Sequence, residues 1–78
     1  MSIVFQNEKE CHKFLSDPKF QPHSQQDETT TCKILVGMKG ATIKDLTSSY
    51  STCEKILRNN GVDNTNVQVI CNLLNPPS

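Results

Sequence analysis

Two glycines three residues apart, Gly37 and Gly40, enclose one methionine and one lysine in the stretch L-V-G-M-K-G-A-T-I-K-D-L. Glycine lets a ligand approach the backbone closely and readily adopts positive φ angles. A run with helical spacing follows directly, and the free N–H groups at the start of a helix favour an anion. This spacing could therefore support binding of a phosphate or sugar backbone, with Lys39 adding a mobile positive charge.

Positive charge is concentrated around the same two glycines. Residues 32–44 contain Lys33, Lys39 and Lys44 and no acidic residue, whereas the whole chain of 78 residues has a formal net charge of zero. A neutral chain is a poor candidate for binding nucleic acid or membranes over its whole surface. Local binding through this segment is one interpretation, and ordinary solvation of three lysines is the other.

The cysteines form no metal or catalytic pattern in the sequence. Cys11, Cys32, Cys53 and Cys71 are widely spaced, without the close pair that zinc sites normally use. Neighbouring helical residues point about 100° apart, so Cys11 and His12 do not form a nucleophile and base by themselves. We predict no metal, no cofactor and buried free thiols, with two disulfides in one of three pairings as the alternative.

Catalytic motifs and targeting segments are not found either. The sequence contains no G-x-S-x-G, no Walker loop and no H-E-x-x-H, which indicates a protein that is not an enzyme. Its first ten residues lack the basic and apolar regions of a signal peptide. No stretch approaches the roughly 20 apolar residues of a transmembrane helix. We therefore predict a cytoplasmic or nuclear protein that does not bind membranes.

Helical spacing appears on both sides of the glycine pair. Asn7 has the character of an N-cap and predicts a helix over about residues 8–16. After Gly40, the apolar residues Ile43, Leu46 and Tyr50 are spaced by three and four, which places them on one helical face. A helix is therefore predicted to begin just after the glycines.

Other segments have the character of strands and turns. Residues 2–5 predict a strand or a packed arm, and residues 32–36 form an apolar run too short to distinguish strand from helix. Residues 52–58 fit a helix or a strand, and Asn-Asn-Gly at 59–61 predicts a turn. Residues 66–71 alternate as a half-buried strand does.

The length predicts one domain over residues 1–78. Residues 18–31 contain two prolines and a cluster of polar residues, which predicts a flexible loop. Residues 72–78 predict a short C-terminal tail. The elements together predict a small α+β domain in which a short, mostly antiparallel sheet packs against two or three helices.

The glycine segment resembles the GxxG segment of KH domains, in which a hydrophobic pair precedes G-x-x-G and an I-x-x-L helix follows. The resemblance covers roughly residues 31–71. It implies non-catalytic binding of single-stranded RNA or DNA, because the GxxG loop of that family clamps about four nucleotides. Seven residues would form the site by position: Gly37, Met38, Lys39, Gly40, Lys33, Lys44 and Ile34.

A different arrangement of the same residues predicts a different function. Residues 32–36 and 41–46 could pair as a hairpin around G-M-K-G, with a helix at 52–59 and a strand at 66–71. The result would be a β-grasp-like domain that binds another protein as an adaptor or inhibitor. The sequence leaves the partner's identity and the oligomeric state open.

Overall fold

The computed structural model describes residues 2–77, and every regular element within this range is a helix. Pairing of the β type within the same range is limited to two isolated bridges, Ile3 with Lys39 and Phe5 with Val36. The predicted α+β fold, whether KH-like or β-grasp-like, is therefore wrong. The helices are α1 (Glu8–Leu15), α2 (Gln25–Leu35), α3 (Ile43–Leu46), α4 (Tyr50–Asn59) and α5 (Asn64–Leu74), with a 3-10 helix at Pro18–Phe20.

Each α-helix begins at a polar side chain that accepts a hydrogen bond from a backbone N–H of the first turn. These side chains satisfy donors that have no partner inside the helix. The helix predicted over 8–16 is confirmed, with Asn7 as its N-cap. The remaining N-caps are Ser24 for α2, Thr42 for α3, Ser49 for α4 and Asp63 for α5.

The segment 18–31, predicted as a loop, contains the 3-10 helix and the first part of α2. Its polar composition is compatible with a helix because most of those side chains lie on the outer face. The inner face is supplied by Thr31, Cys32 and Leu35, which are fully buried. Tertiary packing therefore overrides the modest helix propensity of three consecutive threonines.

The segment 66–71, predicted as a strand, lies inside α5. Val67, Ile70, Cys71 and Leu74 are spaced by three, one and three residues, and all four are buried. That spacing forms the inner stripe of a helix. The stretch N-V-Q-V-I-C fits both the alternation of a strand and the periodicity of a helix. The helix is formed because it buries more of the apolar residues of this stretch.

The turn predicted at 59–61 is confirmed as the end of α4. Gly61 has a φ of +78°, an angle that other residues rarely adopt. The Gly61 N–H donates to the Arg58 carbonyl at 3.0 Å, and the Val62 N–H donates to the Leu57 carbonyl at 3.1 Å. This pattern is the Schellman motif, which ends a helix and turns the chain towards the next one.

All four cysteines are paired, so the prediction of free thiols is wrong. Cys11 in α1 is bonded to Cys32 in α2, with Cα atoms 5.7 Å apart. Cys53 in α4 is bonded to Cys71 in α5, with Cα atoms 5.8 Å apart. Disulfides are rare in the cytosol and nucleus, so the cysteines do not support the predicted cytoplasmic or nuclear location, which stays a prediction.

The core lies where α5 packs against α2 and α4, with α1 against α2 and α3 against α4. The side chains of Leu15, Leu35, Leu46 and Leu57 are completely buried there. None of the helices within residues 2–77 is long and apolar enough to cross a lipid bilayer.

Candidate functional site

The glycine segment lies against the N-terminal arm, residues 2–5. The Gly37 N–H donates to the Phe5 carbonyl at 2.9 Å, and the Gly40 N–H donates to the Ser2 carbonyl at 3.0 Å. Both glycines have positive φ angles, +78° and +86°. The pair therefore turns the chain along the arm, and the backbone donors expected to face a phosphate are already occupied.

The other residues of the predicted nucleic-acid site are distributed over three elements. Lys33 and Ile34 belong to α2, Lys44 belongs to α3, and Met38 and Lys39 lie between the glycines. The three lysines are exposed, whereas Ile34 and Met38 are partly buried against the core.

The helix that follows the glycines offers little to an anion. It has only four residues, and its first turn is closed by a capping box in which Thr42 and Asp45 exchange hydrogen bonds at 3.0 and 3.2 Å. Nucleic-acid binding through this segment stays a prediction, but the open amides on which it depended are not present.

A groove beside α5 combines apolar walls with polar side chains. It has a volume of about 430 Å³ and lies between α2, α5, the segment 20–23 and the chain after α5. We call it the tail groove. Its apolar walls are formed by Phe20, Pro22, Val69, Leu73, Pro76 and Pro77, and its polar lining by His23, Asp27, Thr65, Gln68 and Asn72.

One face of α5 supplies most of the polar lining. Thr65, Gln68 and Asn72 are spaced by three and four residues, so they lie along the same side of the helix. All three are exposed. None of their side chains makes a hydrogen bond to another group within residues 2–77. Asp27 faces them from α2, and its carboxylate is likewise unpaired in that range.

A compact hydrogen-bonded cluster fixes the wall of the tail groove at His23. The Nδ1 atom of His23 lies 2.8 Å from the Phe20 carbonyl, and its Nε2 atom lies 2.6 Å from one oxygen of Glu28. The other Glu28 oxygen lies 2.7 Å from Nδ1 of His12. One carboxylate on α2 thereby holds α1 and the segment before α2 together.

The partners of His23 determine its protonation. A carbonyl oxygen only accepts hydrogen bonds, so Nδ1 of His23 must carry a proton. Burial opposes the charge on the imidazole, but the hydrogen bonds to Glu28 and Phe20, with the attraction of Glu28 and Asp27, outweigh it and raise the pKa of His23. The hydrogen bond from His23 lowers the pKa of Glu28 against the opposing effect of burial. These contacts favour the imidazolium form of His23 and the ionised form of Glu28.

We expect this cluster to make stability depend on pH. A raised His23 pKa contributes stability that is complete below its ordinary value of 6.5 and is lost as the pH rises through the folded-state pKa. A lowered Glu28 pKa contributes stability that is present above its ordinary value of 4.5 and is lost as the pH falls. The contribution should be largest between these two values.

The replacement His23→Gln tests this dependence by urea denaturation at several pH values. It should cost about 1–2 kcal/mol near pH 6, because a charge-assisted hydrogen bond is lost, and much less near pH 9. The variant His12→Gln is the control, since it leaves His23 in place and should keep the decline at high pH. An unchanged decline in His23→Gln would contradict the assignment.

The hydrogen bonds of His12 and His23 limit the part that these side chains could take in metal binding or acid–base chemistry. Both ring nitrogens of His23 and the Nδ1 atom of His12 are engaged, which leaves His23 without a free lone pair. No group of three or more potential metal-binding side chains occurs within residues 2–77. The hydrogen bonds of the cluster fix one wall of the tail groove.

A second hollow lies beside the N-terminal arm and has a volume of about 590 Å³. Its floor is apolar, and three charged side chains are at its rim. We call it the arm hollow. Its lining is Val4, Phe5, Phe14, Ser16 and Ile43, with Glu10, Lys13 and Asp17 at the rim.

Sequence reasoning missed the tail groove because its residues come from distant parts of the chain. Residues 65–72 show a polar face only when they are taken as a helix, and the sequence predicted a strand for most of them. His23 appeared isolated, yet its side chain is only 7% exposed. The one available signal was Ser24, an N-cap followed by two acids at Asp27 and Glu28, which indicates a helix start.

The chain matches no protein-family model, no curated protein sequence and no solved structure. The tail groove and the contacts around it are therefore the basis for assigning a function.

Proposed function

We propose that this protein is a non-catalytic module that binds a segment of another protein in the tail groove. The observation that carries the proposal is the set of polar side chains in this groove that have no hydrogen-bond partner within residues 2–77. A groove of about 430 Å³ with apolar walls and a few polar groups is typical of a binding site.

The polar face of α5 suits the main chain of an extended segment. The carboxamides of Gln68 and Asn72 each offer a donor and an acceptor, which are the two groups that every peptide unit presents. The distance from Thr65 to Asn72 is about 10 Å along the helix axis. About three residues of extended chain cover that distance, and their side chains would pack on the apolar walls.

The fixed wall also supports a binding role. The hydrogen bonds of His23 hold the segment 20–23 against α2 before any partner arrives. A preformed wall reduces the conformational entropy lost on binding. The site in this proposal needs no chemical step, and the imidazolium of His23 has no free nitrogen for one.

A selection of short random peptides displayed on phage tests the proposal. Peptides enriched on the wild-type protein should shift NMR signals of residues 65–73 and 22–27. Asn72→Ala should weaken their binding by about tenfold, since it removes a donor and an acceptor from the groove. Asn59→Ala is the matched control, because Asn59 is an exposed asparagine at the end of α4.

Three results would reject the proposal. The first is a failure to enrich any peptide, and the second is binding that Asn72→Ala leaves unchanged. The third is a set of NMR shifts confined to the arm hollow, which would move the binding surface to that hollow.

A further inference from the structure

We infer that the segment held in the tail groove presents a basic side chain, lysine or arginine, to the carboxylate of Asp27. This inference rests on the proposed function and specifies the chemistry of the partner. It depends on a difference between two neighbouring acids and on the charge of the groove.

Asp27 and Glu28 lie side by side in the first turn of α2, but they differ in their contacts. Both oxygens of Glu28 accept hydrogen bonds, from His12 and His23. The backbone N–H of Asp27 donates to the Ser24 hydroxyl at 3.0 Å, whereas its carboxylate makes no hydrogen bond or ion pair within residues 2–77. The Asp27 side chain is therefore available to a ligand.

The charge of the lining favours a cation. No lysine or arginine lines the tail groove, and the positive charge of His23 is balanced by Glu28. The carboxylate of Asp27 attracts His23 but forms no ion pair within residues 2–77. A basic side chain would complement it, whereas an acidic one would be repelled.

The shape of the groove suits a long basic side chain. Phe20 and Pro22 line the same hollow as Asp27. The methylene groups of lysine or arginine pack on apolar walls of this kind while the charged end meets a carboxylate. Arginine has the additional advantage of a planar fork that can donate two hydrogen bonds to one carboxylate.

Two capped tripeptides that differ only in charge test the inference. One has arginine between two leucines, and the other has citrulline, its uncharged isostere, at the same position. In an NMR titration, the arginine peptide should bind about fivefold more tightly or better, as expected for a partly buried ion pair. The shifts should include Asp27, Gln68 and Asn72, and the preference should decrease with salt.

Two variants test which carboxylate causes the preference for the arginine peptide. Asp27→Asn should abolish the difference between the peptides, because it removes the carboxylate that distinguishes them. Glu10→Gln should leave the preference intact, because Glu10 is an exposed acid at the rim of the arm hollow. A preference that Glu10→Gln removes would place the basic side chain in the arm hollow and overturn the inference.

The outcomes separate the inference from the proposed function. Equal binding of the two peptides in the tail groove would reject the inference and leave the proposed function in place. If neither tripeptide binds, the phage selection decides, because wild type should enrich basic residues and Asp27→Asn should not. Enriched peptides without basic residues would overturn the inference, and no enriched peptide would reject the proposed function.

Discussion

The double replacement of Cys53 and Cys71 by alanine should lower the free energy of unfolding by about 3 kcal/mol. The disulfide closes a loop with a sequence separation of 18, so its removal restores conformational entropy to the unfolded chain. A domain of this size lies near the lower end of the usual range of about 5–15 kcal/mol. The variant should therefore retain only about 2 kcal/mol and unfold at a lower temperature and a lower urea concentration than the wild type, as followed by circular dichroism.

The other disulfide supplies a matched comparison. Cys11 and Cys32 have a sequence separation of 21, so their joint replacement by alanine should cost about the same. Wild-type protein treated with reductant should lose more stability than either double variant. Losses below about 1 kcal/mol in both variants would contradict a stabilising role for the disulfides.

Phe5→Ala should cost about 3–4 kcal/mol, as expected for truncation of a buried aromatic side chain. Phe5 is only 5% exposed although it belongs to the N-terminal arm. Its ring centroid lies 5.6 Å from that of Phe14, which in turn lies 5.0 Å from that of Phe20. Loss of the first ring should detach the arm and leave a cavity beside α1.

Urea denaturation and amide hydrogen exchange measure this effect together. In Phe5→Ala, the amides of Gly37 and Gly40 should exchange faster, because their acceptors lie in the arm. Ile3→Ala is the control, since Ile3 is 41% exposed and its replacement should cost about 0.5 kcal/mol or less. Similar losses in the two variants would show that the arm is not anchored through Phe5.

Local sequence signals predicted some elements of the fold. Asn7 followed by Cys11 and Leu15 defines α1, and the spacing of Ile43 and Leu46 defines α3. In these places a cap and a helical stripe indicate the same structure, so tertiary contacts reinforce the local preference.

In α5, the strand-like alternation of apolar residues conflicted with their helical spacing. Val67, Val69 and Cys71 alternate as strand residues do, and valine favours strands. Only the packing of α5 against α2 and α4, with the Cys53–Cys71 disulfide, decides for the helix. The pairing of cysteines could not be chosen from sequence, because it depends on which helices lie side by side.

The tail groove could not be predicted for a similar reason. Asp27 and Asn72 are far apart in the chain and face each other only after α2 packs against α5.

The glycine pair misled the prediction because positive φ suits both a ligand-binding loop and a turn that pairs with the arm. The glycine amides donate instead to the carbonyls of Phe5 and Ser2 in the N-terminal arm, which is distant in sequence.

The two disulfides divide the molecule into covalent rings that do not overlap. One ring closes between Cys11 and Cys32, and the other between Cys53 and Cys71. A single tether, residues 33–52, is the only covalent link between them. A protease that nicks this tether would release two pieces on a non-reducing gel, whereas a nick inside either ring would leave one. After a nick in the tether, only the packing of helices and the contacts of the N-terminal arm would hold the two pieces together.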